Sequence, residues 1–481
     1  MVIAHTNDLH THFLPNAAEW LPDRPEIGGF IALDAHLQAL RQAHGEDGLL
    51  YLDAGDILTG TPLMEMRQHD VYGGVMLDLL EAAGCDAWTF GNHEMDRGWR
   101  NAAVLVGASA VPVLSANLHK AERPAEPAFP GLLRHKVFVR NGVRVGVIGL
   151  TTAALPHLAS AEAMAPIAVE APAAAAQREL RAMGEGVDLV VALTHLGIEA
   201  DRQLAREVPE LDLIVGGHSH TALQPPEQVG QTWIVQAGSY ARQLGVARLT
   251  VEEGAIVAFS DELVDLIPSA LPAEPSAEMV SLVESWQEQV SARYDAVLGS
   301  VTGEMRQRRE GESAIGRFAA EVVRQGVGAD IGVYNGSGVR AGLEPGPLRR
   351  RDLYAVFPFP NEVATFELRG DELSAVVLRG LVGELARSRG ALQWSGLRYQ
   401  WRLRLGAPEL VRLEVGGLPV DPDRRYVVAT NSFVAEHAQT QLGLALPTFV
   451  RHELLVLDAA EAVARQGPIV PVERPSGIRV E

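Results

Sequence analysis

Short, almost wholly apolar runs alternate with helix-like segments through the first 267 residues of the chain. Strands buried on both faces are expected to be nearly all apolar, and strands that alternate with helices are typical of a parallel sheet. Apolar runs of this kind lie at residues 2–4, 49–52, 87–90, 143–150, 189–193 and 211–215. Helical patterns lie between them at residues 30–43, 73–83 and 171–183. The alternation predicts an α/β fold with a mainly parallel sheet covered by helices.

A proline-rich break begins at residue 268. Three prolines fall within eight residues, and residues 276–294 then continue without proline or glycine. Apolar residues recur there at helical spacing, with Ser276 placed to cap a helix and Glu278 in its first turn. Beyond it lie a helix pattern at 314–325 and strand-like runs at 331–334 and 427–430. The predicted division is a first domain at 1–267, a linker with a helix at 268–294, and a second domain of α/β or α+β class at 295–481.

Composition excludes several classes of protein. The 481 residues carry 61 acidic and 41 basic side chains, a net charge of −20, which disfavours nucleic-acid and anionic-membrane partners. The single cysteine, Cys85, excludes an intrachain disulfide and is expected in the core. No apolar run is long enough to span a bilayer and no leader-like segment is visible. We therefore expect a cytoplasmic protein; the alternative is a periplasmic or secreted one whose leader has been removed.

Side chains suited to metal binding come directly after five of the predicted strands. They are Asp8 and His10, Asp56, Asn92 and His93, His195, and His218 and His220. The carboxyl ends of parallel strands form the crevice in which open α/β sheets bind ligands. We therefore expect these carboxylate, amide and imidazole groups to converge on one rim of the sheet.

The residue types indicate a pair of divalent ions. Two such ions about 3.5–4 Å apart need a shared carboxylate, and together they activate water and hold phosphate oxygens. Because imidazole ligands are mixed with oxygen ligands, the set favours Mn, Zn, Co or Fe over Mg or Ca. Short Asp and His turns are often structural when they occur singly, and His5 and His12, which lack such support, are predicted to be structural.

The motifs resemble those of a known family. Asp8-x-His10, Gly55-Asp56, Gly91-Asn-His-Glu94, Thr194-His195 and Gly217-His-Ser-His220 are similar to the calcineurin-like metallophosphoesterase signature. In the second half, 335-NGSGVR-340, 358-PFPN-361 and 430-TNSF-433 resemble motifs of bacterial 5′-nucleotidase/UDP-sugar hydrolase proteins. The resemblance implies a four-layer metallophosphoesterase α/β sandwich followed by a smaller α/β 5′-nucleotidase C-terminal domain.

The resemblance also implies roles for the first-domain residues. One ion would be held by Asp8, His10, Asp56 and His220, and the other by Asp56, Asn92, His195 and His218. His93 would lie over the phosphate as a catalytic group, with Asp96 orienting it. Several nucleotidases have an amide where this chain has His220, a difference that bears on metal preference.

In the second domain the resemblance implies that the substrate base is sandwiched between two aromatic rings, Phe359 and Phe433. The matching polar substrate residues are Asn335, Arg340, Asn361 and Arg309, with Arg306 and Arg308 as close alternatives to Arg309. One position departs from the pattern, because Gln439 stands where relatives have an aspartate that contacts ribose. A carboxamide both donates and accepts hydrogen bonds, so ribose recognition is expected to differ.

The implied function is metal-dependent hydrolysis of nucleotide phosphate esters, first of all as a 5′-nucleotidase that releases nucleoside and phosphate. The alternatives are a 2′,3′-cyclic nucleotide phosphodiesterase or a UDP-sugar pyrophosphohydrolase with the same metal centre. A non-catalytic nucleotide-binding protein would be expected to have lost ligands or His93, and the sequence retains all of them.

Overall fold

Two units make up the chain, Met1–Ser291 and Ala292–Glu481. The structure, a computed structural model, describes residues 1–18, 23–308, 311–385, 391–445, 448–472 and 474–480. Of the helices in these ranges, none combines the length and the apolar character needed to cross a bilayer.

The strands of the first unit are β1 Val2–Thr6, β2 Asn16–Ala17, β3 Glu26–Ile27, β4 Leu49–Asp53, β5 Arg67–Gln68, β6 Val71–Tyr72, β7 Ala87–Thr89, β8 Val113–Leu114, β9 Leu118–Lys120, β10 Arg123–Pro127, β11 His135–Arg140, β12 Val143–Thr151, β13 Ile167–Val169, β14 Leu189–His195, β15 Leu213–Gly216, β16 Glu227–Val229, β17 Thr232–Val235, β18 Gln243–Glu252 and β19 Ala255–Asp265. Its helices are α1 Phe30–His44, α2 Val75–Ala82, α3 Gly98–Ala108, α4 Leu155–Leu158, α5 Ala161–Met164, α6 Pro172–Met183 and α7 Ile198–Glu207. Each predicted strand and helix of this part is present, with ends that differ by a few residues.

The predicted strands belong to two large sheets rather than one. Among the described residues, one sheet has the order β19-β18-β1-β4-β7-β8 and the other β11-β12-β14-β15-β17-β16. The pairs β1–β4, β4–β7 and β7–β8 are parallel, as are β12–β14, β14–β15 and β15–β17. The pairs β1–β18, β18–β19, β11–β12 and β16–β17 are antiparallel. An apolar run does not reveal which neighbours it pairs with, so the sequence pattern alone could not divide the strands between sheets.

The two sheets face each other across a shared core. Ile3 and Leu52 of the first sheet pack with Val147 and Val191 of the second in one buried cluster. The opposite face of the second sheet meets α6 and α7 through Ala176 and other apolar side chains. Helix α1 lies against β4 of the first sheet. These layers of helix, sheet, sheet and helix agree with the four-layer sandwich that the family resemblance implies.

A helix at the end of the first unit begins where the sequence predicts. α8 spans Ala277–Tyr294 and carries Glu278 in its first turn. The Ser276 hydroxyl accepts a hydrogen bond from the Met279 backbone N–H at 3.2 Å, which is the geometry of an N-cap. Met279, Val283 and Val290 are buried, so the apolar face of α8 packs against the protein.

The second unit is a further α/β arrangement. Its strands are β20 Val297–Val301, β21 Ile331–Asn335, β22 Gly346–Arg349, β23 Glu362–Arg369, β24 Leu392–Ser395, β25 Leu397–Arg404, β26 Ala407–Val415, β27 Leu418–Pro419, β28 Arg425–Asn431, β29 Val450–Leu455 and β30 Gly477–Arg479. Its helices are α9 Ala314–Val327, α10 Arg350–Val356, α11 Gly370–Leu385, α12 Ser432–Glu436, α13 Ala438–Gln441 and α14 Val456–Ala464.

The largest sheet described in this unit has the order β24-β21-β28-β23-β29. β21 and β28 run parallel, and β23 runs antiparallel to β28. The last residues of β21 and β28 and the first residues of β23 therefore lie at the same end of the strands, which we call the sheet edge. α9 and α14 contribute to one core cluster and α11 to the other, so helices cover the sheet on both faces. This shared edge carries the predicted substrate residues.

Candidate metal centre and substrate-recognition residues

Sharp turns directly after the strands of the first unit carry the predicted metal ligands. Asp8, His10, Asp56, His218 and His220 all have a positive φ, between 48° and 76°. This left-handed region is uncommon for residues with a side chain, and such strain persists where the surrounding structure holds it. Side chains along a strand alternate between the two faces of the sheet, whereas these turns direct the predicted ligands toward a single point.

One group of ligand atoms surrounds the carboxylate of Asp8. The Oδ1 atom lies 3.3 Å from His220 Nε2 and 3.8 Å from His10 Nε2. The two imidazole nitrogens, His10 Nε2 and His220 Nε2, are 3.1 Å apart. Asp8 and His10 are buried, so these atoms face one another away from bulk water.

A second group is built around Asp56. Its Oδ2 atom lies 3.0 Å from His195 Nε2, 3.9 Å from His93 Nε2 and 4.0 Å from His10 Nε2. Asp56, His195 and His218 can each place one ligand atom within 4.8 Å of the others, and so can His10, Asp56 and His93. Asp56 therefore lies close to side chains of both groups.

The hydrogen bonds of two histidines show which ring nitrogen is directed toward the cluster. His10 Nδ1 lies 2.8 Å from the Thr59 carbonyl and His195 Nδ1 lies 2.7 Å from the Ala54 carbonyl. A carbonyl only accepts, so each Nδ1 carries a proton and each Nε2 is directed toward Asp56. The buried Asn92 Oδ1 has no hydrogen-bond partner among the described residues. Electron pairs of imidazole, carboxylate and amide thus face one another, and these residues fit a pair of cations.

The pKa shifts result from the same crowding. Burial disfavours the charged form of Asp56, but the neighbouring imidazoles outweigh it and hold the pKa of this carboxyl well below its usual range. Burial would lower the pKa of His195, whereas Asp56 and Asp8 raise it to about 10. For His218, burial and the charge of His195 lower the pKa to about 4. A positive charge is therefore strongly favoured beside Asp56.

The predicted catalytic pair lies beside the second group. His93 Nδ1 is 2.7 Å from Asp96 Oδ2, and the same oxygen accepts a hydrogen bond from the Thr59 hydroxyl at 2.7 Å. The backbone N–H of His93 donates to Asp56 Oδ1 at 2.8 Å. His93 is thereby held with its Nε2 directed toward the ligand cluster and remains 13% exposed.

Three buried side chains that support the site were not singled out from the sequence. Asn7 Nδ2 donates to Asp8 Oδ2 at 2.7 Å, and Gln236 bonds to Gly217, Ser219 and Thr221 of the loop that carries His218 and His220. Glu94 accepts hydrogen bonds from the backbone N–H groups of Asp56, Ile57 and Leu58, and burial with the Asp56 charge raises its pKa to about 8. The position of Glu94 in the GNHE motif was the one available signal, since Asn7 and Gln236 bond mainly to backbone groups.

The residues predicted to be structural are not among the grouped candidate ligands of the described chain. His5 is buried in β1, with Nε2 3.1 Å from Asp261 Oδ1. Cys85 is buried, as expected of core packing. His12 stacks on Tyr240 with the ring centroids 4.4 Å apart, and the Tyr240 ring also contacts His10 and His220. His12 therefore belongs to the wall beside the ligand cluster.

The predicted substrate residues of the second unit gather at the sheet edge. Asn335 ends β21, and its Oδ1 accepts a hydrogen bond from Asn431 Nδ2 at 2.9 Å. Asn361 precedes β23 and accepts from the Ser432 hydroxyl at 3.4 Å. The Arg340 guanidinium lies 5.9 Å from the centre of the Phe359 ring.

Phe433 and the segment after it differ from a glycine-rich turn. Phe433 lies in α12, and its ring centroid is 4.4 Å from that of His437. Gln439 is exposed in the next short helix, α13. Arg309 lies outside the described residues, and of its alternatives Arg306 is paired with Glu304.

Comparisons with known proteins agree with this arrangement. Residues 1–222 match the model of the calcineurin-like phosphoesterase family, and residues 295–443 match that of the 5′-nucleotidase C-terminal domain. The chain is 27% identical to protein UshA of Yersinia enterocolitica over 90% of its length and 85% of the relative. It is 25% identical to a probable 5′-nucleotidase of Treponema pallidum over 90% of the chain and 86% of that relative.

A solved structure gives the same result. The 5′-nucleotidase precursor from Thermus thermophilus superposes with a TM-score of 0.84 at 26% identity, covering 100% of this chain and 99% of that one. These matches confirm the family resemblance and the fold that the motifs imply.

Proposed function

Because the chain belongs to the family that joins a calcineurin-like phosphoesterase domain to a 5′-nucleotidase C-terminal domain, we propose that it hydrolyses nucleoside 5′-monophosphates to nucleoside and phosphate. The enzyme class, a metal-dependent phosphoesterase, is given by the family. What is proposed here is the substrate, the use of two ions, and the role of each residue.

One observation supports a dinuclear centre above the others. Acceptor atoms from five strand ends face one another in a buried cluster, and Asp56 is common to both halves of it. Buried groups of this kind are costly without a compensating charge. We assign one ion to Asp8, His10, Asp56 and His220, and the other to Asp56, Asn92, His195 and His218. The imidazole content favours Mn, Zn, Co or Fe.

The side chains around the ions carry the remaining chemistry. When bound, two divalent ions supply an activated water near neutral pH and withdraw charge from the phosphate oxygens. His93, oriented by Asp96 through Nδ1, presents Nε2 to the reacting phosphate. From that position it stabilises the developing negative charge or gives a proton to the leaving oxygen.

Recognition of the nucleoside is assigned to the second unit. Phe359 and Phe433 offer ring faces to the base, and stacking of this kind is worth about 1–3 kcal/mol per base and tolerates different bases. Asn335, Arg340 and Asn361 are the polar groups at the same sheet edge. Arg309 is retained as a phosphate-binding residue on sequence grounds.

One departure favours a second candidate function. The segment after Phe433 forms α12 and α13, with Gln439 exposed where relatives carry a ribose-binding aspartate. A site without that carboxylate is compatible with cyclic nucleotides or nucleotide sugars, and the same metal centre would serve as a phosphodiesterase or pyrophosphohydrolase. A non-catalytic nucleotide-binding role is disfavoured because the chain retains every predicted ligand and His93.

A screen of phosphate release separates these functions. The substrates are AMP, UMP, 2′,3′-cyclic AMP and UDP-glucose, each with Mn, Zn, Co or Mg, and the cyclic and sugar substrates are also monitored by product chromatography. The proposal predicts the highest kcat/KM for a monophosphate. Faster turnover of the cyclic nucleotide or the nucleotide sugar would replace it with the second candidate.

The recognition role has its own test. Phe359→Ala combined with Phe433→Ala removes two stacking faces, worth about 2–6 kcal/mol if both are engaged. We expect kcat/KM for AMP to fall accordingly, whereas hydrolysis of p-nitrophenyl phosphate, which has no nucleoside, changes little. Equal losses on both substrates would mean that the phenylalanines support the fold instead.

A further inference from the structure

A cavity of about 290 Å³ lies beside Asn335 in the second unit. Its wall is formed by the turn after β21, by α11, by β24 and by α13. The lining residues are Asn335, Gly336, Ser337, Arg379, Gly380, Leu392, Thr440 and Gln441. Of these, Asn335 alone belongs to the proposed substrate residues.

The polar groups of this cavity include hydrogen-bond donors that have no acidic partner within the described residues. The Ser337 hydroxyl accepts from Asn335 Nδ2 at 3.0 Å, which leaves its own proton to donate. Arg379 has no carboxylate partner among the described residues, and its contact is with the Gly443 carbonyl at 3.5 Å. The Gln441 carboxamide likewise has no hydrogen-bond partner within the described ranges. Since none of the lining residues is acidic, the cavity favours a ligand edge rich in acceptors.

The cavity is joined to the stacking residue through His437. The His437 ring packs on Phe433, and its Nδ1 lies 2.9 Å from the Phe433 carbonyl. The His437 carbonyl in turn accepts a hydrogen bond from the Thr440 hydroxyl at 3.0 Å and from the Gln441 backbone N–H at 2.8 Å. The wall of the cavity is therefore anchored to the same short segment that carries Phe433.

We propose that this cavity reads the edge of the nucleotide base and selects 6-oxopurines, with Arg379 as the specificity-determining residue. The inference rests on the proposed function for the placement of the base on Phe433. A guanidinium pairs in a bidentate manner with the adjacent O6 and N7 acceptors of guanine or hypoxanthine. Adenine presents an amino group beside N7, and this hydrogen-bond donor would face the donor groups of the Arg379 guanidinium.

Arg379 can occupy its position only because residue 443 is a glycine. A Cβ atom added to Gly443, where φ is +75°, would lie 2.1 Å from Arg379 Nε. Any other residue there would displace the guanidinium from its present place. Gly443 and Arg379 thus act together in shaping the cavity wall.

Nucleoside binding to the full-length, metal-loaded enzyme tests the proposal without hydrolysis. Isothermal titration calorimetry with inosine, guanosine and adenosine should give a Kd for the two 6-oxopurine nucleosides that is roughly 5- to 150-fold lower than for adenosine, the range of one good bidentate pair. Arg379→Ala should bring the ratio close to one. Arg379→Lys, which keeps the charge but loses the planar fork, should also lose most of it. Arg369→Ala, an exposed arginine just before α11 that pairs with Asp371 and Asp423, is the matched control and should keep the ratio.

Equal affinity for inosine and adenosine in the unaltered enzyme would overturn the proposal, and so would an equal loss of both nucleosides in Arg379→Ala. These binding results can be told apart from a failure of the proposed function, because they do not depend on hydrolysis. If the enzyme binds 6-oxopurine nucleosides selectively but hydrolyses no nucleoside monophosphate, the proposed base pocket is supported and the proposed 5′-nucleotidase activity is rejected.

Discussion

At the scale of single residues, Asp56 shows how the site departs from an ordinary protein interior. One buried carboxylate faces His195, His93 and His10 at 3.0–4.0 Å, and its own backbone N–H is bonded to Glu94. That these side chains lie together could be predicted from the sequence, because carboxylate and imidazole residues recur directly after apolar runs. Asn7 and Gln236 could not, since an amide that bonds to backbone groups leaves no spacing pattern.

His93→Ala tests the catalytic role at this scale. The imidazole bonds to Asp96 through Nδ1, whereas the bond to Asp56 is made by the backbone N–H of His93, so we expect the variant to keep its metals and to lose kcat by roughly 10²–10⁴-fold. Steady-state kinetics with elemental analysis of the same sample measures both. Near-normal turnover would show that His93 has no catalytic role.

Asp53, the last residue of β4, allows a prediction of pH dependence. Burial raises its pKa to about 7, against hydrogen bonds from Thr6 and Gly55 that lower it. The folded protein therefore holds a proton that the unfolded chain releases above about pH 4, and stability falls as pH rises from about 4 to 7. Asp53→Asn has no such proton to lose and can keep both hydrogen bonds.

The measurement is urea unfolding of both metal-free proteins at pH 5 and pH 8. The free energy of unfolding of Asp53→Asn relative to the unaltered protein should increase by roughly 3 kcal/mol between the two pH values. A difference that is the same at both would mean that Asp53 is ionised throughout.

At the scale of elements, the site depends on the turn at the end of each strand. Left-handed residues follow β1, β4 and β15 and direct the predicted ligands of those strands inward, whereas His195 is the last residue of β14 and Asn92 follows β7 with an ordinary φ. The sequence pattern predicted the strands and their ends, because buried strands are continuous apolar runs. It did not separate the two sheets, because pairing partners are set by packing between distant segments.

Gln236, directly after β17, tests the support of one such turn. Gln236→Leu removes the acceptor of the Thr221 N–H and one of the partners of the Gly217 carbonyl and of the Ser219 hydroxyl; a buried polar group left unsatisfied costs about 1–3 kcal/mol. We expect a lower Tm and a higher metal concentration for half-maximal binding. Gln228→Leu, at an exposed position of β16, is the control; similar effects from both would remove Gln236 from the support of the site.

At the scale of the whole molecule, chemistry and recognition are assigned to separate units. The metal-ligand cluster belongs entirely to Met1–Ser291, and the stacking residues and base cavity belong to Ala292–Glu481. Motifs in both halves made this division predictable. The base cavity was not predictable, because Arg379, Ser337 and Gln441 come together only through the packing of α11 and α13.

Elemental analysis of the metal ions bound per chain, on active enzyme and on Asp56→Asn, tests whether the centre is dinuclear. A dinuclear centre predicts two ions in the active protein. In Asp56→Asn, which lacks the bridging charge, it predicts one ion or fewer and loss of activity on every phosphate ester. Active wild-type enzyme without bound metal, or Asp56→Asn with two ions and normal turnover, would contradict it.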